Sequence, residues 1–150
     1  LYNAFGGRRD LAQSYVMREA ERFIASTEQA IRSNADDPRA ALASATEVFL
    51  TAAAQHPLVR AMTASDDADE LLPLVTTRGG PVIGQVTERL AAVIVETWPG
   101  LPPGETRTMV ESLVRLAISH AALPTAPPRA TADAIVAILG PYVDAMLAAR

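Results

Sequence analysis

Cysteine is absent from the 150 residues, which removes disulfide scaffolds and thiolate metal sites and leaves a cytoplasmic location as the expectation. Aromatic residues are scarce at 5%, within a hydrophobic content of 49% that is rich in alanine. That balance favours closely packed helices over sheets, whose pleated surfaces draw on aromatic and β-branched side chains. No uncharged apolar run reaches the roughly 18 residues needed to cross a bilayer, because Arg115, Asp133 and Asp144 interrupt the most hydrophobic segments. No membrane partner is therefore expected. Period-two alternation and self-similarity at a solenoid period are both missing. The chain opens without an initiator Met or a charged leader, so it is expected to begin inside a structural unit.

A formal charge of −4 argues that the bulk of the surface does not bind nucleic acid; any DNA contact has to be local, and Arg8-Arg9 is the N-terminal basic pair. Catalytic chemistry finds little support. There are two histidines, no thiol and no nucleophile-elbow motif, and Ser119 and His120 point to different faces of one helix. Leu116 occupies the position four before His120, so no second metal ligand stands at helical spacing. We expect no enzyme, no metal and no cofactor. His56, before Pro57, reads either as a ligand-contacting group or as a hydrogen-bonding helix terminus. The carboxylates between Ser65 and Glu70 read either as hard-cation ligands or as caps of the next helix, and the absence of a glycine-shaped calcium loop favours caps.

What is present is helix after helix. Val16, Ala20, Phe23, Ile24, Thr27 and Ile31 share one face of a long helix from Arg8 to about Ser33. Asp37 and Pro38 supply an N-cap and a first helical residue for a second helix to about Gln55, with Leu42, Ala45, Phe49, Ala52 and Ala53 on one side. A short helix is expected over Leu58 to Thr63. Pro81 to Thr97 follows with Ile83, Val86, Leu90, Val93 and Ile94 inward, and Trp98 stands at its end. The Pro99 to Gly104 stretch is too rich in Pro and Gly to be helical. The helix from Glu105 to Leu123 is apolar on two edges and has to be covered on both sides. Beyond Pro124–Pro128, the last helix carries the stripe Ile135, Ile138, Leu139, Tyr142, Val143 and Met146, with Gly140-Pro141 expected to kink or interrupt it. The fold class is all-α, of six or seven helices, its last two forming a four-helix bundle with a two-fold mate.

The first eleven residues carry the functional signal. Leu1, Tyr2 and Phe5 fit the last turn of a short helix, Gly6-Gly7 can end it, and Arg8-Arg9-Asp10 opens the next. The pattern Leu-Tyr-x-x-Phe-x-x-Arg-x-Asp-Leu resembles the end of the helix-turn-helix domain in TetR-family transcriptional regulators. Arg8 stands where lysine is more usual, and Gly6-Gly7 replaces a more typical Pro/Gly-Ser pair.

The resemblance implies a division into residues 1–11, the tail of the helix-turn-helix, and residues 12–150, a ligand-binding and dimerisation domain. It implies a DNA-binding repressor, released from its operator by a small hydrophobic effector, with Tyr2 and Arg8 on DNA phosphates. A phenol and a guanidinium at a helix start both donate to phosphate, and such contacts position without reading sequence. It also implies a pocket among the central helices, for which Phe49, Met62, Val86, Leu90, Ile94, Trp98, Met109 and Leu113 are the candidate lining, each equally well explained as core. The homodimer seam is expected from Leu116, Leu123, Ile135, Leu139, Tyr142 and Met146. The alternative is a helical ligand-sequestering or protein-interaction domain without DNA binding.

Overall fold

The computed structural model describes residues 4–55 and 80–149. Among these every regular element is a helix: α1 (Ala4–Ser33), α2 (Pro38–Gln55), α3 (Gly80–Thr97), α4 (Pro103–Ala122) and α5 (Pro128–Ala148). The expected short helix at Leu58–Thr63, with Met62, His56 and the acidic cluster, lies outside the described residues.

One local expectation is overturned. Gly6-Gly7 does not end a helix, because α1 runs without a break from Ala4 to Ser33. Glycine costs about 1 kcal/mol relative to alanine inside a helix, which weakens the start without forbidding it. The rest of α1 then continues as a single rod. At its other end, the Asn34 amide donates to the Ala30 carbonyl (2.8 Å). Asp37 caps α2 as expected, its Oδ1 accepting the Ala40 N–H at 3.1 Å, one residue before Pro38 fixes the first turn.

α2 is the central helix. It packs against α1, α4 and α5, while α3 packs against α1 and α4. Alanines at 41, 43, 45 and 53 bury on α2, and their small side chains let neighbouring helices approach closely. The main core joins Ile24 and Ile31 of α1, Leu42 of α2, Val86, Leu90 and Val93 of α3, Val110 and Val114 of α4, and Val143 and Met146 of α5. A smaller cluster of Leu50, Ala53, Ala117 and Ala121 lies beside Phe49, whose ring meets Phe23 edge-on with centroids 5.9 Å apart.

The Pro- and Gly-rich stretch after α3 is irregular, as expected, yet it is not a mere spacer. Gly100 takes a left-handed φ of 103°, a conformation that disfavours a side chain, and this turns Leu101 into the core, where it is 4% exposed. At the far end of the chain, α5 continues through Gly140-Pro141 without the expected interruption. Proline removes one intrahelical donor there. The helix persists because its inner face packs into the core on both sides of the weak point, through Ile135 before it and Val143 and Met146 after it, while Arg129–Glu47 (3.1 Å) and Arg39–Asp144 (2.6 Å) pair it with α2. Gly140 itself lies under the Arg39 guanidinium: a Cβ built there would stand 2.9 Å from Cζ.

Arginine ties recur between packed helices. Arg107 of α4 reaches Glu88 of α3 at 2.5 Å. Arg89 of α3 reaches back to α1, bonding Glu21 at 2.8 Å and Glu28 at 2.6 Å, and Gln85 donates to the same Glu21. Hydrogen bonding to carboxylates holds the guanidinium of Arg89, first through Glu21 and then Glu28, above its ordinary pKa. Exposed pairs of this kind contribute little singly. Glu28 differs, because it is a buried carboxylate with, among the described residues, Arg32 at 3.4 Å as its second cation. Stranding a buried charge is costly. Arg89→Ala should therefore lower the urea midpoint clearly, and Arg107→Ala should barely move it; equal shifts from the two variants would show that Glu28 does not depend on Arg89.

Candidate effector cavity

All five helices meet around one cavity of about 60 Å³. α1 contributes Thr27 and Ile31; α2 contributes Pro38, Ala41, Leu42 and Ala45; α3 contributes Leu90 and Ile94. Trp98 and Leu101 close one side from the turn after α3, α4 adds Met109, Val110 and Leu113, and α5 adds Val143, Met146 and Leu147. The space exists because Ala41 and Ala45, one helical turn apart on α2, withhold volume opposite the larger side chains.

Among the described residues, two lining side chains carry a strong hydrogen-bonding group, and each donor is already engaged. Thr27 Oγ1 donates to the Phe23 carbonyl at 2.7 Å, within its own helix. Trp98 Nε1 donates across the bundle to the Ala35 carbonyl at 3.0 Å, pinning the α3–α4 turn to the α1–α2 turn.

Of the residues expected to line a pocket, Leu90, Ile94, Trp98, Met109 and Leu113 do so. Val86 is buried in the core away from the cavity, and Phe49 packs on the smaller cluster. Thr27 and Ile31 were foreseeable as members of the apolar face of α1, but nothing in the periodicity distinguishes a residue facing a void from one facing a neighbour. The contribution of α5 was assigned differently: Met146 was expected on a dimer seam, yet it is 5% exposed and lines this cavity. Ile135 is likewise buried, at 4%, in the protomer's own interior. Both turn inward because α5 lays that face on α2. Leu139 is half-buried against the core.

The other seam residues do face outward. Leu116, Leu123 and Tyr142 are exposed large apolar side chains, and Ile138, four residues before Tyr142, joins them at 74% exposure. By length and composition α5 qualifies as a membrane span, with a mean hydropathy of 1.4 over its best window. It is tied to α2 by ion pairs, however, and its inner face belongs to the core, so its outer apolar residues read as an uncovered protein face. Of the two expected phosphate contacts, Arg8 sits near the start of α1 and Tyr2 lies outside the described residues. Among the described residues no group of three or more His, Cys, Asp or Glu is arranged to hold a metal ion.

Residues 37–141 match the family described as Bacterial Tetracyclin repressor, C-terminal domain. The chain is 26% identical over 144 residues to the HTH-type transcriptional regulator AlkX of Mycobacterium tuberculosis, covering 96% of this chain and 68% of that protein. It is also similar to the crystal structure of the TetR family repressor AlkX from a Dietzia strain, implicated in biodegradation of n-alkanes. The TM-score there is 0.82 at 30% identity, over 97% of this chain and 79% of that one. The chain belongs to the TetR family of transcriptional regulators.

Proposed function

We propose that the chain is the sensing and dimerisation part of a repressor that leaves its operator when a small hydrophobic effector occupies the cavity. The observation that carries this reading is that the cavity abuts α1 at Thr27 and Ile31, near the end of the helix remote from Arg8. The nineteen residue steps from Arg8 to Thr27 span about 29 Å of helix at 1.5 Å per residue. A tilt of about 5° at the cavity end displaces the other end by roughly 2.5 Å, enough to spoil the spacing of two recognition elements that have to meet half-sites one DNA turn apart. An effector that prefers the tilted form shifts the population away from the DNA-competent one. Two copies are joined through the outward face of Leu116, Leu123, Ile138 and Tyr142, and the protein works in the cytoplasm. The Dietzia relative is tied to n-alkane biodegradation, and control of genes acting on hydrocarbons is in keeping with so apolar a lining.

Tyr2 and Arg8 are the proposed phosphate contacts. In the complete regulator, Tyr2→Phe and Arg8→Ala should each weaken binding to operator and to unrelated DNA alike, and Arg8→Ala should reduce the slope of log K against log salt by about 1. Fluorescence anisotropy at several salt concentrations reads both. If both variants bind DNA like the parent, these residues are not at the interface, and the assignment of the opening stretch fails.

A further inference from the structure

We propose that Arg89 is the positioning residue that couples the cavity to the helix leading toward the DNA-binding segment: by holding Glu21 and Glu28 of α1 in one grip, it makes α1 turn with α3. This rests on the cavity being the effector site. The geometry lies in the contact between the two helices. One terminal nitrogen of Arg89 bonds Glu21 at 2.8 Å and the other bonds Glu28 at 2.6 Å. The two carboxylates are seven residues apart, so their Cα atoms stand about 10 Å apart along α1 at 1.5 Å per residue. A contact at one point fixes where a helix lies, whereas contacts at two points along it also fix its direction. Gln85, one turn before Arg89 on α3, donates to the same Glu21 and steadies the outer point.

On both helices the grip is joined in sequence to the cavity wall. Thr27 precedes Glu28 on α1, Leu90 follows Arg89 on α3, and Thr27 and Leu90 both line the cavity. A displacement of Leu90 therefore carries the backbone of Arg89 with it. Ile94 and Trp98 extend the same wall, and the Trp98 indole donates to the Ala35 carbonyl just past the end of α1. The wall that an effector presses is thus fastened to α1 at Glu21 and Glu28 and to the turn that follows it. The shape of the cation matters, because a guanidinium is a planar fork that holds two acceptors in fixed relation, and a lysine ammonium is a point charge on a flexible stem. The two branches of the grip differ in cost. Glu28 is buried, so losing Arg89 weakens the fold as well as the grip; Glu21 is half-exposed, so its branch can be cut with little loss of stability.

The test uses the complete regulator with n-octane as the probe, reading operator affinity by fluorescence anisotropy with and without it, and stability by urea midpoint. Glu21→Ala and Arg89→Lys should each keep a urea midpoint near the parent's. Each should nonetheless lower operator affinity without n-octane, and shrink the factor by which n-octane reduces that affinity, by about threefold or more, within the roughly 2- to 30-fold that substitutions between coupled sites produce. Arg107→Ala, which cuts a tie between α3 and α4 that does not reach α1, should change neither quantity by as much as twofold. A grip that is merely structural would move the urea midpoint and leave both quantities alone. Glu21→Ala and Arg89→Lys proteins that bind and release operator like the parent overturn the inference, and so does an equal loss with Arg107→Ala. If n-octane does not release the parent, the hydrocarbon reading of the proposed function fails, and the affinities without n-octane alone decide the role of Arg89.

Discussion

Ile24→Ala should cost about 2–5 kcal/mol of folding stability, a large part of the 5–15 kcal/mol that holds a typical domain together. Ile24 is 1% exposed and is among the most completely buried large side chains of the bundle. It lies on α1 one turn before Thr27, where that helix meets the main core. Truncation removes three carbons from a place where helices on several sides prevent collapse, so a cavity term adds to the lost transfer energy. Ile24→Val, which removes one methyl group, should cost about 0.5–1.5 kcal/mol. Urea unfolding measures both, and an unchanged m-value would show that the native state alone has been weakened. A loss below about 1 kcal/mol for Ile24→Ala would mean that α1 is not docked as described.

Ile138→Asp should convert the proposed dimer to monomer while leaving each protomer folded. Ile138 and Tyr142 stand one turn apart on the outward face of α5, and Leu116 and Leu123 of α4 are exposed as well. Burying one isoleucine contributes about 1.5–3 kcal/mol, and a two-fold axis counts it twice. Aspartate removes that gain and desolvates a charge on each side. Sedimentation should show a single species of half the mass, with operator affinity lower by two or more orders of magnitude because the half-sites are no longer bound together. Ile135→Asp provides the contrast: that position is interior, so the expected result is unfolding. A folded, persistent dimer with Ile138→Asp would remove this face from the interface.

Much of the architecture was legible in the sequence because helical periodicity and proline punctuation report directly on local structure. Asp37-Pro38 and the prolines before α4 and α5 marked helix starts to within two or three residues, and the inward faces of α3 and α4 agree with the burial observed. What failed did so for tertiary reasons. Gly6-Gly7 punctuates by composition, yet a long helix can absorb its cost. The stripe on α5 could not be divided between core and exterior from its own spacing, since both faces are apolar and only the position of α2 decides that Ile135 and Met146 turn inward while Ile138 turns out. Leu101 looked like part of a linker because its burial depends on the left-handed turn at Gly100. The cavity was half visible: Leu90, Ile94, Trp98, Met109 and Leu113 follow from the central helices, whereas the void itself is made by the alanines of α2, which no motif announces.

The ties between helices have one further consequence. All 13 basic residues of the chain are arginine, so the ties present planar, delocalised cations and no side-chain amine. Reagents that couple through lysine, whether fluorophores or cross-linkers, have no side chain to attack in this stretch. Nor do acylating enzymes have a lysine here through which to loosen the grip of α3 on α1. A covalent probe of the bundle is best placed on an introduced cysteine, which in a chain with none of its own would be unique.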